Sequence, residues 1–324
     1  MKKTGLAALL AGIALIGCEL KETATEPSTP VPAPIKVTNG YEEAGNHKAD
    51  HLAPAKELPG IHNVRWLGKN VVSGSEPHGK PAFEALAAMG VKTIVSVDGK
   101  VPDEALAATH GMRYVHIPIR YNGITPEAAL RMAKVFRELD GPFFVHCFHG
   151  RHRGPAAAMI GRFVLDGIPR GQALAEMRAC GTGKKYEGLY QAVASLPVPA
   201  AAQSGSLKWD FPAAQPLGSF AQNMVTMTRH YDHLKALADR DWKPDPAHPD
   251  IDARNEAEKL LGLLQRVRES AHVKGKSADF QDGMDASLDA AKALRKGLDG
   301  EGATKALRTV KQSCNACHAA FRNE

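Results

Sequence analysis

The sequence predicts two folded modules of different class, an α/β domain over residues 55–196 and an all-α antiparallel four-helix bundle over residues 219–324. Strand and helix signals alternate in the first module, which favours a mostly parallel sheet with helices on both faces. The second module has no strand signal, and its apolar residues recur at helical spacing. Residues 197–218 lie between them and are rich in proline, alanine and serine, which is typical of a linker.

The composition excludes several classes of protein. Hydrophobic residues make up 44% of the chain and charged residues 23%, so a disordered chain is excluded. Apolar runs after residue 20 stay well short of the ~20 residues that span a bilayer, which excludes a multispan membrane protein. The formal net charge of +6 is small and includes Lys2 and Lys3. We therefore expect no nucleic acid binding.

The N-terminus has the layout of an export signal, in which Lys2 and Lys3 precede an apolar run over residues 6–16. The run ends in the letters LIGC at residues 15–18, which resemble a bacterial lipobox. The resemblance implies that Cys18 is acylated. An ordinary secretory signal with a chance cysteine is the alternative.

Under the lipoprotein interpretation, residues 1–17 are a signal peptide and residues 18–54 form a flexible tether rich in proline and polar residues. The protein would then contact a membrane through its lipid anchor only. We expect it on the periplasmic side of the bacterial cell envelope.

The α/β module contains three β-branched or aromatic strand segments with helical stretches between them. The predicted strands are Thr93–Val97, Tyr114–Ile117 and Phe143–Val145. The predicted helices are Lys80–Met89, Asp103–His110, Pro126–Leu139 and Pro155–Leu165.

The third strand runs directly into the segment HCFHGRHRG at residues 146–154. Five residues separate Cys147 from Arg153, a length that can wrap into a nest of backbone N–H groups around one anion. The N-terminus of the next helix adds its dipole, and Arg153 can offer a bidentate fork. We expect His146 and the basic residues of the loop to add positive charge, which favours a nucleophilic thiolate at Cys147. The remaining loop residues are Phe148, His149, Gly150, Arg151, His152 and Gly154.

This segment resembles the signature of the cysteine-dependent protein tyrosine and dual-specificity phosphatases, and the resemblance extends over residues 55–196. It implies that Cys147 forms a phosphocysteine intermediate and that Arg153 holds the phosphoryl group. It also implies a phosphorylated or otherwise anionic ligand. A buried cysteine that lies in a basic loop by chance is the alternative.

Two positions depart from the family pattern. Gly154 stands where the family carries serine or threonine, and Asn122 stands where we expect the aspartate that acts as general acid. An amide cannot donate a proton as an acid. Asp98 and Glu127 are substitute candidates for the acid, with surface or capping roles as the alternative for each.

The spacing of apolar residues in the second module predicts four amphipathic helices, because these residues recur at intervals of three and four positions. These residues are Phe220, Met224, Met227, Tyr231 and Leu234; Ala257, Leu260, Leu264 and Val267; Phe280, Met284, Leu288, Ala291 and Leu294; and Leu307, Val310, Cys314, Cys317 and Phe321.

Cys314, Cys317 and His318 form the pattern C-x-x-C-H on the last of these helices. Two thiols at this spacing can bond the two vinyl groups of one haem, and the adjacent histidine can ligate the iron. The pattern therefore predicts a covalent c-type haem. A disulfide turn and a zinc half-site are the alternatives.

The C-terminal letters NACHAAFR resemble the end of cytochrome b562, and the layout resembles the class II c-type cytochromes. The resemblance covers residues 219–324 and implies His318 and Met224 as axial ligands of the iron. Met227, one helical turn on, is the rival ligand, and either methionine could instead fill the core.

Two functions follow from these expectations. The first is an exported, lipid-anchored phosphatase whose haem senses redox state or transfers electrons. The second is an electron-transfer or haem-sensor protein whose phosphatase-like domain only binds anions. Either function implies a redox partner protein.

Overall fold

The computed structural model describes residues 30–214, 219–246 and 251–322. The predicted signal peptide and Cys18 lie outside these residues. Within the described ranges, the helices lack the combination of length and hydrophobicity that would carry one of them across a membrane.

The first module is built on a six-stranded sheet with the order β1-β2-β3-β6-β4-β5. Its strands are β1 Lys56–Leu58, β2 Ile61–Trp66, β3 Val71–Ser75, β4 Thr93–Ser96, β5 Arg113–His116 and β6 Phe143–Cys147. Strands β3, β6, β4 and β5 pair in parallel, whereas β1 and β2 pair antiparallel at one edge. The sheet is therefore mixed, with a parallel part that carries all three predicted strands.

Helices cover both faces of this sheet. The helices of this part of the chain are α1 Gly40–Glu43, α2 Gly79–Ala88, α3 Glu104–Thr109, α4 Pro126–Glu138, α5 Arg153–Asp166, α6 Arg170–Ala179, α7 Glu187–Ser195 and α8 Ala201–Ser206. Helices α4 to α7 share one buried core with sheet residues such as Val145, and α2 and α3 share a second with Phe144. Because Val145 and Phe144 are consecutive in β6, they point to opposite faces.

Residues 30–54 differ from the predicted tether, because they pack against the α/β module. The Arg170 guanidinium donates to the carbonyl oxygen of Pro32 at 3.1 Å, and the Ile35 N–H donates to the carbonyl of Ala194 at 2.9 Å. Ile35 and Tyr41 also pack on the buried core. The apolar residues that make these contacts are spaced without helical or strand periodicity. The high proline content of the segment therefore predicts a flexible tether, although the segment is packed.

The predicted linker differs in the same way over residues 197–214. Arg137 on α4 donates to the Ser204 hydroxyl of α8 at 2.8 Å. Farther along, the Pro212 carbonyl accepts from the His116 N–H at 2.9 Å, and the Arg113 guanidinium lies 5.0 Å from the centroid of the Phe211 ring. The segment is therefore bound along the edge of the sheet.

The second module consists of helices that share one hydrophobic core. They are α9 Ser219–Ala238, α10 Ala253–Glu269, α11 Ala271–Lys274, α12 Ala278–Gly297 and α13 Ala303–Phe321. The four long helices coincide with the four predicted ones. α9 packs mainly on α10, α10 on α12 and α12 on α13, whereas α9 and α13 touch only slightly.

Candidate functional site

The loop that follows β6 emerges at the middle of the sheet's carboxyl edge. Cys147, the last residue of β6, pairs with Ser75 of β3, and His146 pairs with Ser96 of β4 on the other side. Parallel sheets bind ligands in the crevice at such a point, where the chain connections leave in opposite directions. Helix α5 begins at Arg153, so its N-terminus faces the same crevice.

The loop is held closely against β3. Gly150 has a φ of +69°, and a Cβ at this position would collide with the backbone of Gly74 and Ser75. Asn63 donates to the carbonyl of His149 at 2.9 Å, and the Glu76 N–H donates to the carbonyl of Phe148 at 3.3 Å. Both contacts use carbonyl groups of the loop, as expected where its N–H groups face an anion.

Arg153 is buried beside Cys147, whose side chain is only 3% exposed. One guanidinium nitrogen lies 3.5 Å from Asp98 Oδ2, the other lies 3.5 Å from the Ile119 carbonyl, and the Nε has no hydrogen-bond partner. Burial opposes the charge, but neighbouring groups that include Asp98 outweigh it and raise the pKa of Arg153. A permanently charged guanidinium with an unused N–H is therefore available to an anion.

Asp98, a candidate acid, is the counter-charge of this arginine. It is 1% exposed and follows β4, and its Oδ1 accepts from the Lys100 N–H at 3.0 Å. Burial raises the pKa of Asp98, but Arg153, together with smaller contributions that include hydrogen bonds from the Lys100 and Gly99 N–H groups, outweighs burial and leaves that pKa below its usual value. An ionised carboxylate that is fixed to Arg153 positions the arginine and is poorly suited to proton donation.

His146 does not contribute the positive charge that the sequence suggested. Burial lowers the pKa of His146 to about 4, so the imidazole is neutral at physiological pH. Its Nε2 lies 2.7 Å from the Tyr114 hydroxyl, whereas its Nδ1 is buried without a partner. The histidine lies under the loop and supports it from the opposite face of the sheet.

His152 is neutral for the same reason, because burial lowers its pKa to about 4. Its ring lies 4.0 Å from that of Tyr186, and the Tyr186 ring lies 5.1 Å from Tyr121. The centroid of Tyr121 lies 4.3 Å from the guanidinium carbon of Arg153. These aromatic side chains line one side of the loop over residues 147–153, which we call the anion loop. Periodicity alone does not indicate a role for Tyr121 or Tyr186.

The remaining acid candidates lie away from the loop's interior. Glu127, in the first turn of α4, has a side chain that is 70% exposed and pairs with Arg131. Asn122 is exposed on the predicted acid loop, whose Tyr121 and Ile119 are the residues that reach Arg153. The predicted acid loop therefore lies against Arg153, although the position predicted for the acid itself faces outward.

Gly154 contacts the backbone of the preceding strand. A Cβ there would lie 3.1 Å from the Cys147 nitrogen, which is tighter than most contacts in proteins. The absence of a hydroxyl at this position is thus matched by close packing of α5 against the end of β6.

Helix α9 of the second module contacts the same edge of the sheet. Arg229 donates to both carboxylate oxygens of Glu76 at 2.8 Å, and Asp232 lies 3.6 Å from the ring nitrogen of His149. Lys100 also pairs with Glu76. The helical module therefore lies over the rim of the anion loop.

The three residues of the C-x-x-C-H pattern lie in the last turns of α13. Cys317 faces Gly283 of α12, where a Cβ would be 3.4 Å from the cysteine sulfur, and both cysteines are free thiols. Burial raises the pKa of Cys314 and of Cys317. Burial also lowers the pKa of His318 to about 4, which leaves a neutral imidazole with a free lone pair.

These residues fit the attachment of a haem. Two free thiols and a neutral imidazole are the chemical groups that thioether bonds and iron ligation require. Met227 is buried in the core of the helices, whereas Met224 is half-buried at its edge on the same helix, α9.

The chain matches no family model and no curated protein. Among solved structures it is similar to that of TpbA from Pseudomonas aeruginosa, with 24% identity, 43% of this chain and 88% of that chain covered, and a TM-score of 0.36. A variant of TpbA in complex with pTyr gives 24% identity, 44% and 88% coverage, and a TM-score of 0.36. A DUF442 phosphatase candidate from Shewanella putrefaciens CN-32 gives 20% identity, 42% and 88% coverage, and a TM-score of 0.35.

Proposed function

We propose that the α/β module is a cysteine-dependent phosphatase that hydrolyses phosphate monoesters. The observation that carries the proposal is the placement of Cys147 and Arg153 at the two ends of one loop, at the carboxyl edge of a parallel sheet. The loop supplies neutral N–H donors, the helix supplies its dipole, and the arginine supplies a fixed charge. Together they suit a dianionic phosphoryl group.

The reaction has two displacement steps at phosphorus. The Cys147 thiolate attacks, the S–P bond forms, and the ester P–O bond breaks as the leaving oxygen takes a proton. Water then attacks the phosphocysteine, the S–P bond breaks, and the thiolate returns. Arg153, oriented by Asp98 at 3.5 Å, holds the non-bridging oxygens through both steps.

Each of the three predicted acid positions is poorly suited to protonating the leaving oxygen. Asp98 is ionised and paired with Arg153, and Glu127 is exposed and paired with Arg131. Asn122 is an amide. In this proposal solvent supplies the proton. Substrates with acidic leaving groups are therefore favoured, and aryl phosphates are the best candidates.

We further propose that α13 would hold a covalent haem through Cys314 and Cys317, with His318 and Met224 as the side chains that would ligate its iron. A haem held in this way would supply one-electron chemistry. The half-buried position of Met224 favours it over Met227, which fills the core. A redox partner protein, a lipid anchor at Cys18 and a periplasmic location in the cell envelope belong to the same proposal.

The phosphatase proposal is tested with full-length, haem-loaded protein and a generic aryl phosphate. We expect turnover that disappears in Cys147→Ser and persists in Cys180→Ser, a matched control in the same domain. Burial raises the pKa of Cys180 to about 12, so this thiol is unreactive. Equal turnover in Cys147→Ser and the parent protein would overturn the proposal.

A second candidate function is anion binding without catalysis, with the haem as the working part. The observation that favours it is the commitment of Asp98 to Arg153, which makes the most buried of the predicted acid candidates unsuited to proton donation. This candidate predicts that the parent protein binds inorganic phosphate or vanadate and releases no product from aryl phosphates.

The haem proposal is tested by acid–acetone extraction of the purified protein. We expect the haem to remain with the polypeptide, and to be extracted from the double variant Cys314→Ala, Cys317→Ala. Met224→Ala should convert a six-coordinate absorption spectrum to a five-coordinate one, whereas Met227→Ala should leave the coordination unchanged. Complete extraction from the parent protein contradicts covalent attachment.

A further inference from the structure

Two histidines and a glutamate converge at a place that the anion loop and the haem proposal do not use. His230 and His233 lie one turn apart on α9, and Glu256 lies in the first turn of α10. The Nδ1 atoms of both histidines lie 2.7 Å from the same oxygen, Oε2 of Glu256. The three potential ligand atoms all lie within 4.8 Å of one another.

The glutamate is placed as an anion. It is 2% exposed, and its other oxygen, Oε1, accepts from Lys259 at 2.9 Å. A buried carboxylate requires cationic or strongly donating partners, and here two imidazoles turn the same ring nitrogen toward it.

We propose that His230, His233 and Glu256 bind a divalent transition-metal cation, for which Zn²⁺ is the best match. Two imidazole nitrogens and one carboxylate oxygen are a three-residue donor set that zinc accepts, with water in the fourth position. The lone pairs of both Nδ1 atoms must face the metal, so the ring protons then lie on Nε2. The present separations are hydrogen-bond distances, and a small outward movement of the rings opens them to coordination distances.

Bound metal would fasten α9 to α10. This matters for the rest of the molecule because the residues between and beside the two histidines contact the α/β module. Asp232 lies 3.6 Å from His149 of the anion loop, and Arg229 donates to Glu76 at 2.8 Å. The metal site therefore stabilises the helix that lies over the rim of the loop.

The test uses full-length, haem-loaded protein, so that Cys314, Cys317 and His318 are not available to zinc. After removal of metals with a chelator, Zn²⁺ is titrated by calorimetry, and the dialysed protein is analysed for zinc. We expect one equivalent per chain. We expect His233→Ala to weaken its affinity at least about 10-fold, because one of three protein ligands is lost.

His233 is 42% exposed, so its replacement leaves the helix packing intact. His272→Ala removes an exposed histidine of the same module and is the matched control, with unchanged zinc affinity expected. Glu256→Gln keeps the volume of the side chain, and circular dichroism confirms that it folds. Equal zinc affinity in the parent, His233→Ala and Glu256→Gln would overturn the proposal, as would the absence of zinc binding by the parent protein.

Discussion

The guanidinium carbon of Arg322 lies 3.8 Å from the centroid of the Tyr121 ring. Arg322 directly follows the helix that carries the C-x-x-C-H pattern, and the same tyrosine ring lies 4.3 Å from Arg153 of the anion loop. One aromatic side chain therefore contacts both the arginine that we propose binds phosphate and the end of the proposed haem helix. A change in the position of α13 would therefore shift Tyr121, which lies beside Arg153 of the anion loop.

Replacement of Arg322 should weaken substrate binding. A cation–π contact of this kind is worth roughly 0.5–1 kcal/mol, so we expect Arg322→Ala to raise KM for aryl phosphates by about 2–5-fold and to leave kcat nearly unchanged. Arg308→Ala removes an exposed arginine from the same helix and serves as the control. An identical KM in both variants and the parent protein argues against a role for Arg322.

Replacement of Asp98 should distinguish a positioning residue from a general acid. A hydrogen bond between charged groups contributes about 1.5–3 kcal/mol, so Asp98→Asn should lower kcat/KM by about 10–100-fold at every pH. The pH profile should keep its shape, because the acid form of Asp98 takes no part. Loss of the alkaline limb in this variant instead identifies Asp98 as the proton donor.

The identity of the leaving group should control the rate. General acid catalysis supplies about 10²–10⁴-fold, and a site without a placed acid forgoes this gain for poor leaving groups. We expect aryl phosphates to react faster than alkyl phosphates by about this factor. The measurement is kcat/KM across a series of leaving groups of rising pKa. Similar values for aryl and alkyl esters show that an acid is present.

Acid should destabilise the α/β module through His146. Its pKa is about 4 in the folded protein and 6.5 ordinarily, so as pH falls below 6.5 the unfolded chain takes up a proton that the folded chain refuses. Stability should therefore fall between about pH 7 and pH 4, by up to about 3 kcal/mol from this residue.

Urea unfolding at about pH 7 and pH 4.5 measures this effect of pH. His146→Gln should flatten the dependence on pH, although it lowers stability at neutral pH. Tyr114→Phe removes the hydroxyl that bonds His146 at 2.7 Å but keeps the titrating ring, so it should retain the dependence. An unchanged slope in His146→Gln shows that other groups dominate.

The parts of the fold with strong local signals could be predicted from the sequence. Strands β4, β5 and β6 are rich in β-branched and aromatic residues and lie in the parallel part of the sheet, and the four long helices have clear periodicity. The sequence VVSGS of β3 ends in small and polar residues, and the buried residues of β2, Ile61 and Val64, are three positions apart, so neither segment shows the alternation of a strand. Pairing with the distant strand β6, which no local window contains, makes β3 a strand, and β2 then pairs with β3.

The candidate site also contains a part that local sequence predicts and a part that depends on the complete fold. Cys147, Arg153 and the loop between them are contiguous, so one short window of the sequence contains the whole predicted loop. The pairing of Asp98 with Arg153 and the contact between Tyr121 and Arg322 join segments that are far apart in the chain, so no local pattern predicts them. The neutral state of His146 also depends on burial in the finished fold.

The packing of residues 30–54 against the sheet domain would limit the reach of the lipid anchor proposed at Cys18. Extended chain advances at most about 3.6 Å per residue, so such an anchor would hold Pro30 within about 40 Å of the membrane surface. A free segment to residue 54 would allow about 130 Å. A phosphatase held by the shorter segment would act on substrates presented at the bilayer. Its access to soluble substrates would depend on their diffusion to that surface.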